Sequence, residues 1–167
     1  MRMQALRGLK FEQLTEHLPP DFDVLRRDAA AEGKRFLERL CAEWQSGEQR
    51  FSGTHEALLA ARVNGELAGI GGMTIDPVIS SAMRMRRFFV RPAYRRHGLG
   101  RQLVATILNR PISSGTIITV NTDSAEAAAF WEAIGFRHEP RNGFTHYLRY
   151  RSSGDVRSTD DVVGLLQ

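Results

Sequence analysis

The sequence predicts an α/β fold in which a mixed, mostly antiparallel central sheet is flanked by helices. Three observations predict it: an apolar helical repeat ahead of the first strand, a hairpin signature in the middle of the chain, and two later segments in which a strand leads into a helix. With 167 residues, of which 42% are hydrophobic and 25% charged, the chain is long enough for one domain with a substantial core. Helices, then antiparallel strands, then alternating strands and helices indicate a mixed sheet covered by helices.

The individual elements follow from apolar spacing and turn residues. Apolar side chains recur at helical spacing over residues 36–44, and the repeat stops at Ser46-Gly47. The Asn64-Gly65 pair separates two strand-like runs and favours a type I′ hairpin turn. The run Asp123-Ser-Ala-Glu126 resembles a capping box that opens the last helix, which Gly135 ends. In chain order the predicted elements are one or two helices within residues 21–46, strands over 57–63, 66–74 and 80–90, a helix over 99–109, a strand over 116–120, a helix over 123–134, and strands over 136–138 and 145–150.

Composition excludes several functional classes. No stretch approaches the roughly 18 to 20 unbroken apolar residues of a membrane span, and the start of the chain lacks the apolar block of a secretory signal. We therefore expect a cytoplasmic protein without a membrane partner. Cys41 is the only cysteine, which excludes an intramolecular disulfide and a multi-cysteine metal site. We expect residues 1–20 to be a peripheral segment, residues 21–150 a single domain and residues 151–167 a C-terminal tail.

The positive charge is concentrated in one cluster of arginines. The net charge is only +4, but seven arginines and no acidic residue fall between positions 84 and 101. Planar guanidinium groups suit phosphate and carboxylate, so the cluster predicts an anionic ligand, either a phosphorylated cofactor or a nucleic acid. An isolated basic run is equally compatible with a solvated face. The cluster comprises Arg84, Arg86, Arg87, Arg91, Arg95, Arg96 and Arg101.

Residues 88–101 form a predicted strand, loop and helix start that can bind phosphate. The first N–H groups of a helix lack intrahelical partners and carry the positive end of its dipole, so several of them can converge on one pyrophosphate. Gly98 and Gly100 let the backbone approach such a ligand closely. Charge at the rim would come from Arg95, Arg96 and Arg101.

At this loop the chain resembles the GNAT superfamily of N-acetyltransferases. The family signature Arg/Gln-x-x-Gly-x-Gly/Ala is matched by residues 95–100, and residues 129–136 match the family's later helix ending. The resemblance covers residues 57–150 and implies a GNAT fold with a V-shaped opening between the motif strand and the next strand. It implies acetyl-CoA as the acyl-donor cosubstrate, held by Phe88, Phe89, Val90, Arg95, Arg96, His97, Gly98, Leu99, Gly100, Arg101, Asn121 and Trp131.

The resemblance also implies a mechanism. The pantetheine arm lies beside the motif strand, where a bulge can aim a main-chain N–H at the thioester oxygen, and one such donor is worth about 3 kcal/mol. A primary amine of a small molecule or protein attacks directly in a ternary complex, without a metal. In this reading His97 contributes its backbone N–H and no catalytic side chain.

Two positions depart from the family's usual proton-transfer residues. Trp131 stands where many relatives have a tyrosine that protonates the leaving thiolate, and an indole N–H is too weak an acid for that role. Arg84 stands where many relatives have a glutamate base, and arginine cannot act as a base. We expect the acceptor to enter between the N-terminal helices and the closing strands, where topology makes Glu32, Trp44, Asp76 and Tyr147 candidates. Of these, Glu32, Asp76 and Tyr147 are the candidate catalytic residues. Glu32 and Asp76 are the candidate bases, and bulk water is the alternative.

Two alternatives to an enzyme stay open. Because of the departures at positions 84 and 131, a non-catalytic acyl-CoA-binding relative of the family is one alternative. The arginine cluster keeps a basic nucleic-acid-binding module in play, although the arginines gather at one glycine loop and no nucleic-acid-binding motif accompanies them. We therefore expect no nucleic-acid partner, and a homodimer remains an open alternative.

Overall fold

The fold is built on a seven-stranded sheet with helices on both faces, described by a computed structural model for residues 6–152. In chain order the elements are β1 (Leu9–Gln13), α1 (Asp23–Ala31), α2 (Phe36–Ser46), β2 (Ala57–Val63), β3 (Glu66–Ile75), β4 (Met83–Val90), a short 3₁₀ helix (Pro92–Tyr94), α3 (Leu99–Leu108), β5 (Ile117–Val120), α4 (Ala125–Ile134), β6 (Arg137–Arg141) and β7 (Phe144–Arg149). The strands lie in the order β1-β2-β3-β4-β5-β7-β6. Neighbouring strands are antiparallel except β4 and β5, which are parallel. The predicted fold class is therefore confirmed.

Strand β1 lies in the segment that was expected to be peripheral. It pairs with β2 from Leu9 opposite Val63 to Gln13 opposite Leu59, and it forms one edge of the sheet. No strand was predicted for residues 9–13, because their half-exposed, charge-interrupted sequence gives little strand signal. The peripheral segment and the domain boundaries at residues 20 and 150 stay predictions, and residues 153–167 of the tail lie outside the described residues.

The predicted turns and helix ends have specific backbone causes. Asn64 and Gly65 have φ angles of 51° and 84°, as a type I′ hairpin turn requires. Gly135, at φ 117°, ends α4 in the left-handed region. The N-cap of α4 is Ser124, whose side chain accepts a hydrogen bond from the Ala127 N–H at 3.1 Å. The capping residue is therefore one position later than the predicted box, which began at Asp123.

Each face of the sheet carries its own apolar core. Helices α3 and α4 cover one face and α1 and α2 cover the other, and we call these the α3/α4 face and the α1/α2 face. Full burial of one large aliphatic side chain stabilises the fold by roughly 1.5 to 3 kcal/mol, so both helix pairs are firmly held. No helix within residues 6–152 is long and apolar enough to cross a membrane. The α3/α4 core includes Met73, Met85, Leu103, Ile107, Ile118 and Trp131, and the α1/α2 core includes Leu25, Leu37, Leu40, Leu58, Ile70 and Phe89.

Candidate functional site

The two parallel strands in the middle of the sheet are paired at one end only. Their register consists of Met83 opposite Ile118 and Arg84 opposite Thr119. From residue 85 to 90, β4 has no partner strand on its β5 side within the described chain. The sheet is therefore open between β4 and β5, which confirms the V-shaped opening.

A buried polar network holds the closed end of this opening. The Asp76 carboxylate, whose side chain is fully buried, accepts a hydrogen bond from Thr119 Oγ1 at 2.6 Å and two from main-chain N–H groups of the following turn, both at 2.8 Å. Arg84 Nη2 lies 3.4 Å from Asp76 Oδ2 and also donates to the carbonyl of Gly143. Burial raises the pKa of Asp76, but these hydrogen bonds and Arg84 more than offset it, so the pKa lies below its ordinary value. The network ties the start of β4 and β5 to the β6–β7 turn.

Strand β4 contains a bulge where it borders the opening. The register with β3 shifts opposite Gly71, and Arg87 has a φ of 62°. Without the extra residue Met85 and Phe88 would lie on opposite faces, yet both pack on the α3/α4 face while Phe89 packs on the other. A Cβ on Gly71 would lie 2.7 Å from the Phe88 ring, so glycine is required beside the bulge.

A cleft of about 380 Å³ continues the opening toward the glycine loop. Most of the residues proposed for the cofactor line it: Phe88, Phe89, Val90, Arg95, Arg96, Gly98, Leu99, Gly100, Arg101 and Trp131. His97 and Asn121 do not line it, since His97 is half-buried in the loop and Asn121 is exposed after β5.

The cleft has a second wall that sequence reasoning missed. Much of this wall belongs to α4, whose lining residues recur at helical spacing and so share one face. That spacing, together with the neighbouring motif at residues 129–136, was the signal that could have identified them. The missed lining residues are Lys34, Tyr94, Glu126, Ala127, Phe130, Ala133 and Ile134.

The glycine loop forms a tight cradle at the N-terminus of α3. Gly98 caps the helix at φ 78°, and Arg96 is also in the left-handed region at φ 67°. A Cβ on Gly100 would lie 3.0 Å from Phe130 Cε2 and 3.7 Å from Val90 Cγ2, so even one carbon would crowd the cradle. Unpaired helix N–H groups beside a position that excludes side chains fit a pyrophosphate group.

Arg95 holds the glycine loop in place through hydrogen bonds and an ion pair, and its charge is not free at the rim of the cleft. Its Nε donates to the Val90 carbonyl at 2.8 Å, and its Nη1 donates to Glu32 Oε2 at 2.7 Å. The guanidinium also stacks on Phe89, at 5.4 Å from the ring centroid. The hydrogen bond from Arg95 holds the pKa of Glu32 below its ordinary value. Positive charge at the exposed rim comes from Arg96 and Arg101.

Trp131 forms part of an aromatic wall on the α3/α4 face. It is 4% exposed, and its ring centroid lies 5.0 Å from those of Phe88 and Phe136 and 5.1 Å from that of Phe130. The contacts are edge-to-face, the geometry that aromatic quadrupoles favour. The indole is therefore held rigidly as a lining group.

The structure does not bring the three candidate catalytic residues together. Glu32 ends α1 and is ion-paired to Arg95 at the glycine loop. Asp76 is at the buried closed end of the opening. Tyr147 is half-buried on β7, directly opposite Thr119 of β5, and so lies at the Asp76 end.

Comparison with known proteins agrees with this architecture. Residues 25–150 match the model of the acetyltransferase (GNAT) domain. An open sheet with a glycine loop leading into a helix is the arrangement of that class, and the chain belongs to the GNAT acetyltransferase family.

Individual relatives are distant. The chain is 28% identical over 109 residues to the N-alpha-acetyltransferase RimI of Mycobacterium tuberculosis, covering 60% of this chain and 69% of that protein. It is 26% identical over 114 residues to an uncharacterised protein of Mycobacterium leprae, covering 64% of this chain but spanning only 32% of that protein's length.

Two solved structures share the fold. A proposed acetyltransferase from Exiguobacterium sp. 255-15 superposes with a TM-score of 0.74 at 20% identity, covering 84% of this chain and 93% of that one. A variant of the toxin AtaT, bound to the C-terminus of the antitoxin AtaR and to acetyl-CoA, superposes with a TM-score of 0.62 at 14% identity. The match covers 85% of this chain and 93% of the AtaT chain.

Proposed function

We propose that the protein is an N-acetyltransferase that moves the acetyl group of acetyl-CoA to a primary amine of a small molecule or protein by direct attack in a ternary complex. The observation that carries the proposal is the cleft between β4 and β5, which ends at a glycine cradle under the N-terminus of α3. Family membership and the acetyl-CoA-bound structure of AtaT, a protein of the same fold, support it. A cytoplasmic location belongs to the same proposal.

Both main-chain and side-chain groups of the protein would bind acetyl-CoA. Main-chain N–H groups at the start of α3 would hold the pyrophosphate, and the exposed Arg96 and Arg101 would meet phosphate oxygens. The unpaired edge of β4 offers main-chain groups to an extended pantetheine arm, as in strand addition. Phe88 and Trp131 would cover that arm and exclude water.

The bulge at Arg87 supports a role for backbone in the chemistry. Bound acetyl-CoA supplies an activated acetyl thioester, and a bulged backbone can turn an N–H toward its carbonyl oxygen. A donor placed where negative charge develops is worth about 3 kcal/mol of barrier. Gly71 and Phe88 hold the bulge in place, since the ring fills the space that a side chain at position 71 would need.

The side chains of this protein contribute little to deprotonation of the acceptor amine. The acceptor amine is protonated near pH 7 and must lose a proton before it attacks. Glu32 and Asp76 are both held by hydrogen bonds that lower their pKa values, so each is a weak base. We propose that these two carboxylates position the glycine loop and the closed end of the opening, and that the amine proton leaves to water. Tyr147 stays a candidate for contact with the acceptor.

The first test of the function is turnover. Protein incubated with acetyl-CoA and a broad amine panel should yield acetylated amine and free CoA, both measured by mass spectrometry. CoA binding by calorimetry without turnover of any amine would favour the non-catalytic acyl-CoA-binding alternative.

Replacing Trp131 with phenylalanine should keep most of the catalytic rate, because the residue lines the site and donates no proton to the leaving thiolate. The flat ring retains the contacts with Phe88 and Phe136. Steady-state kinetics and CoA affinity would be measured together. A loss of about a thousandfold in kcat at unchanged CoA affinity would assign Trp131 a proton-transfer role, since general acid catalysis contributes roughly 100- to 10,000-fold.

Binding to nucleic acid should be weak and steeply dependent on salt. Within the described chain four of the clustered arginines form ion pairs, namely Arg84, Arg87, Arg91 and Arg95, which leaves little charge for a phosphate backbone. Titration of a fluorescent mixed-sequence DNA at several salt concentrations measures this. Sub-micromolar binding at physiological salt that CoA does not compete away would support the nucleic-acid module instead.

A further inference from the structure

Three arginines of β4 project from the same side of the sheet. Met83 and Met85 pack into the α3/α4 core, so the alternating side chains of Arg84 and Arg86 lie on the α1/α2 face. The bulge turns Arg87 to that face as well, where it reaches Glu43 of α2. Three guanidinium groups of β4 therefore lie on the α1/α2 side of the opening, and two of them are paired with carboxylates.

Arg86 differs from its two neighbours because, among residues 6–152, no side chain forms an ion pair or a hydrogen bond with it. Arg84 is paired with Asp76, and Arg87 is paired with Glu43 at 2.5 Å. Within the described residues Arg86 makes no hydrogen bond and no ion pair, although it is half-buried. Burial and the adjacent Arg87 lower the pKa of Arg86, so its charge costs free energy in this setting.

The carboxylates near Arg86 are committed elsewhere. Glu43 holds Arg87, and both oxygens of Glu56 accept main-chain N–H groups, at 2.8 and 2.9 Å. The two carboxylates raise the pKa of Arg86 only in part. The Asp76 carboxylate is saturated by its own hydrogen bonds. The guanidinium of Arg86 is thus left with unused donors in a fixed fork.

The position of Arg86 relates this charge to the acceptor. It directly precedes the bulge residue Arg87 and lies two residues after Arg84, the last paired residue of β4 in the β4–β5 ladder. Of the aromatic residues that line the cleft, Phe88 and Trp131 lie on the opposite face of the sheet, whereas Phe89 packs on the α1/α2 face. Arg86 is not among the residues that line the cleft itself, but an amine that approached the opening from the α1/α2 side would come near it.

We propose that Arg86 binds an oxyanion of the acceptor, so that the substrates are small amines that also carry a carboxylate or phosphate group. This inference rests on the proposed acetyl transfer. An oxyanion would accept the unused guanidinium donors in a two-pronged contact and would neutralise the uncompensated charge. A diamine or polyamine would instead bring a second cation toward the Arg86 guanidinium, where the described carboxylates are already engaged.

Matched acceptor pairs test the proposal in the full-length protein. Each pair shares a carbon chain and differs in the oxyanion: lysine and cadaverine, 4-aminobutyrate and butylamine, phosphoethanolamine and ethanolamine. The oxyanion member should have the higher kcat/KM by about 10- to 150-fold, because a hydrogen bond to a charged group contributes about 1.5 to 3 kcal/mol. The first two pairs report on carboxylate and the third on phosphate.

The variant Arg86→Gln should remove this preference by raising KM for the oxyanion member, while KM for butylamine and ethanolamine, the monoamines without an oxyanion, should stay nearly unchanged. Arg137→Gln, at an exposed position on β6, is the matched control and should keep the parental preference. Equal turnover of both members by the parent protein overturns the assignment of Arg86. So does an equal loss for both members in Arg86→Gln, which would point to a role in shaping β4.

A binding readout separates this inference from the proposed function. Calorimetric titration of the same pairs into the CoA complex should show binding of the oxyanion member to the parent protein and weaker binding to Arg86→Gln. Such binding without acetylation of any amine would overturn the transferase proposal and leave the Arg86 site standing. Acetylation with no oxyanion preference would support the transferase proposal and overturn the Arg86 site. If neither binding nor acetylation is observed, both the transferase proposal and the Arg86 site are overturned.

Discussion

Replacing Gly100 with valine should lower CoA affinity by more than about 100-fold, because two lost hydrogen bonds to a charged phosphate group cost about 3 to 6 kcal/mol. A Cβ at this position would already lie 3.0 Å from Phe130 Cε2, so the branched side chain must project into the cradle. It would then stand between the ligand and the N–H groups that begin α3. Isothermal calorimetry with CoA measures the loss directly.

Gln102→Val is the matched control for this substitution. Gln102 lies on the same helix two residues later and is exposed, so it carries the same cost of placing a β-branched residue in a helix without touching the cleft. Both variants should retain a native circular dichroism spectrum. Unchanged CoA affinity in a natively folded Gly100→Val protein would remove the loop from the cofactor site.

The glycine-loop side of the cleft could be predicted from the sequence because its geometry is local. A glycine loop that enters a helix needs only neighbouring residues to present its N–H groups, and the run at 95–100 contains them all. The β2–β3 hairpin turn and the end of α4 could be predicted for the same reason, because Asn64, Gly65 and Gly135 readily adopt the positive φ angles that these features require. Strand β1 was missed because its pairing with β2 depends on residues about fifty positions away, and its own pattern is weak.

The roles of charged side chains could not be predicted because their partners are distant in the chain. Glu32 meets Arg95 across a separation of 63 residues, and Thr119 meets Asp76 across 43. Either carboxylate could serve as a base when only its neighbours in sequence are considered. Because both carboxylates are paired in the structure, they are poor bases. Arg95, which was expected to supply charge at the rim of the cleft, instead holds the glycine loop in place.

Substitution of Asp76 by alanine should lower the free energy of unfolding by about 3 to 5 kcal/mol, as expected when one partner of a buried ion pair is removed. The change would leave Arg84 without its carboxylate and would strip two main-chain N–H groups and Thr119 of their acceptor. Urea denaturation followed by circular dichroism gives the free energy. Asp123→Ala is the control, because Asp123 is exposed just before α4, and it should change stability by less than about 0.5 kcal/mol.

The dependence of this stabilisation on pH distinguishes a structural Asp76 from a catalytic one. The folded-state pKa of Asp76 lies below the ordinary value of 3.8, so its contribution is complete above that value and is lost as the pH falls through the folded-state pKa. The stability advantage of the parent protein over Asp76→Asn should therefore be constant from pH 7 to about pH 5 and shrink below about pH 4. Activity per folded molecule in Asp76→Asn should keep the parental pH–rate profile, with the rate rising until the acceptor amine itself titrates. An Asp76→Asn protein of parental stability that loses the acidic limb and about 100-fold in kcat/KM would instead make Asp76 the general base.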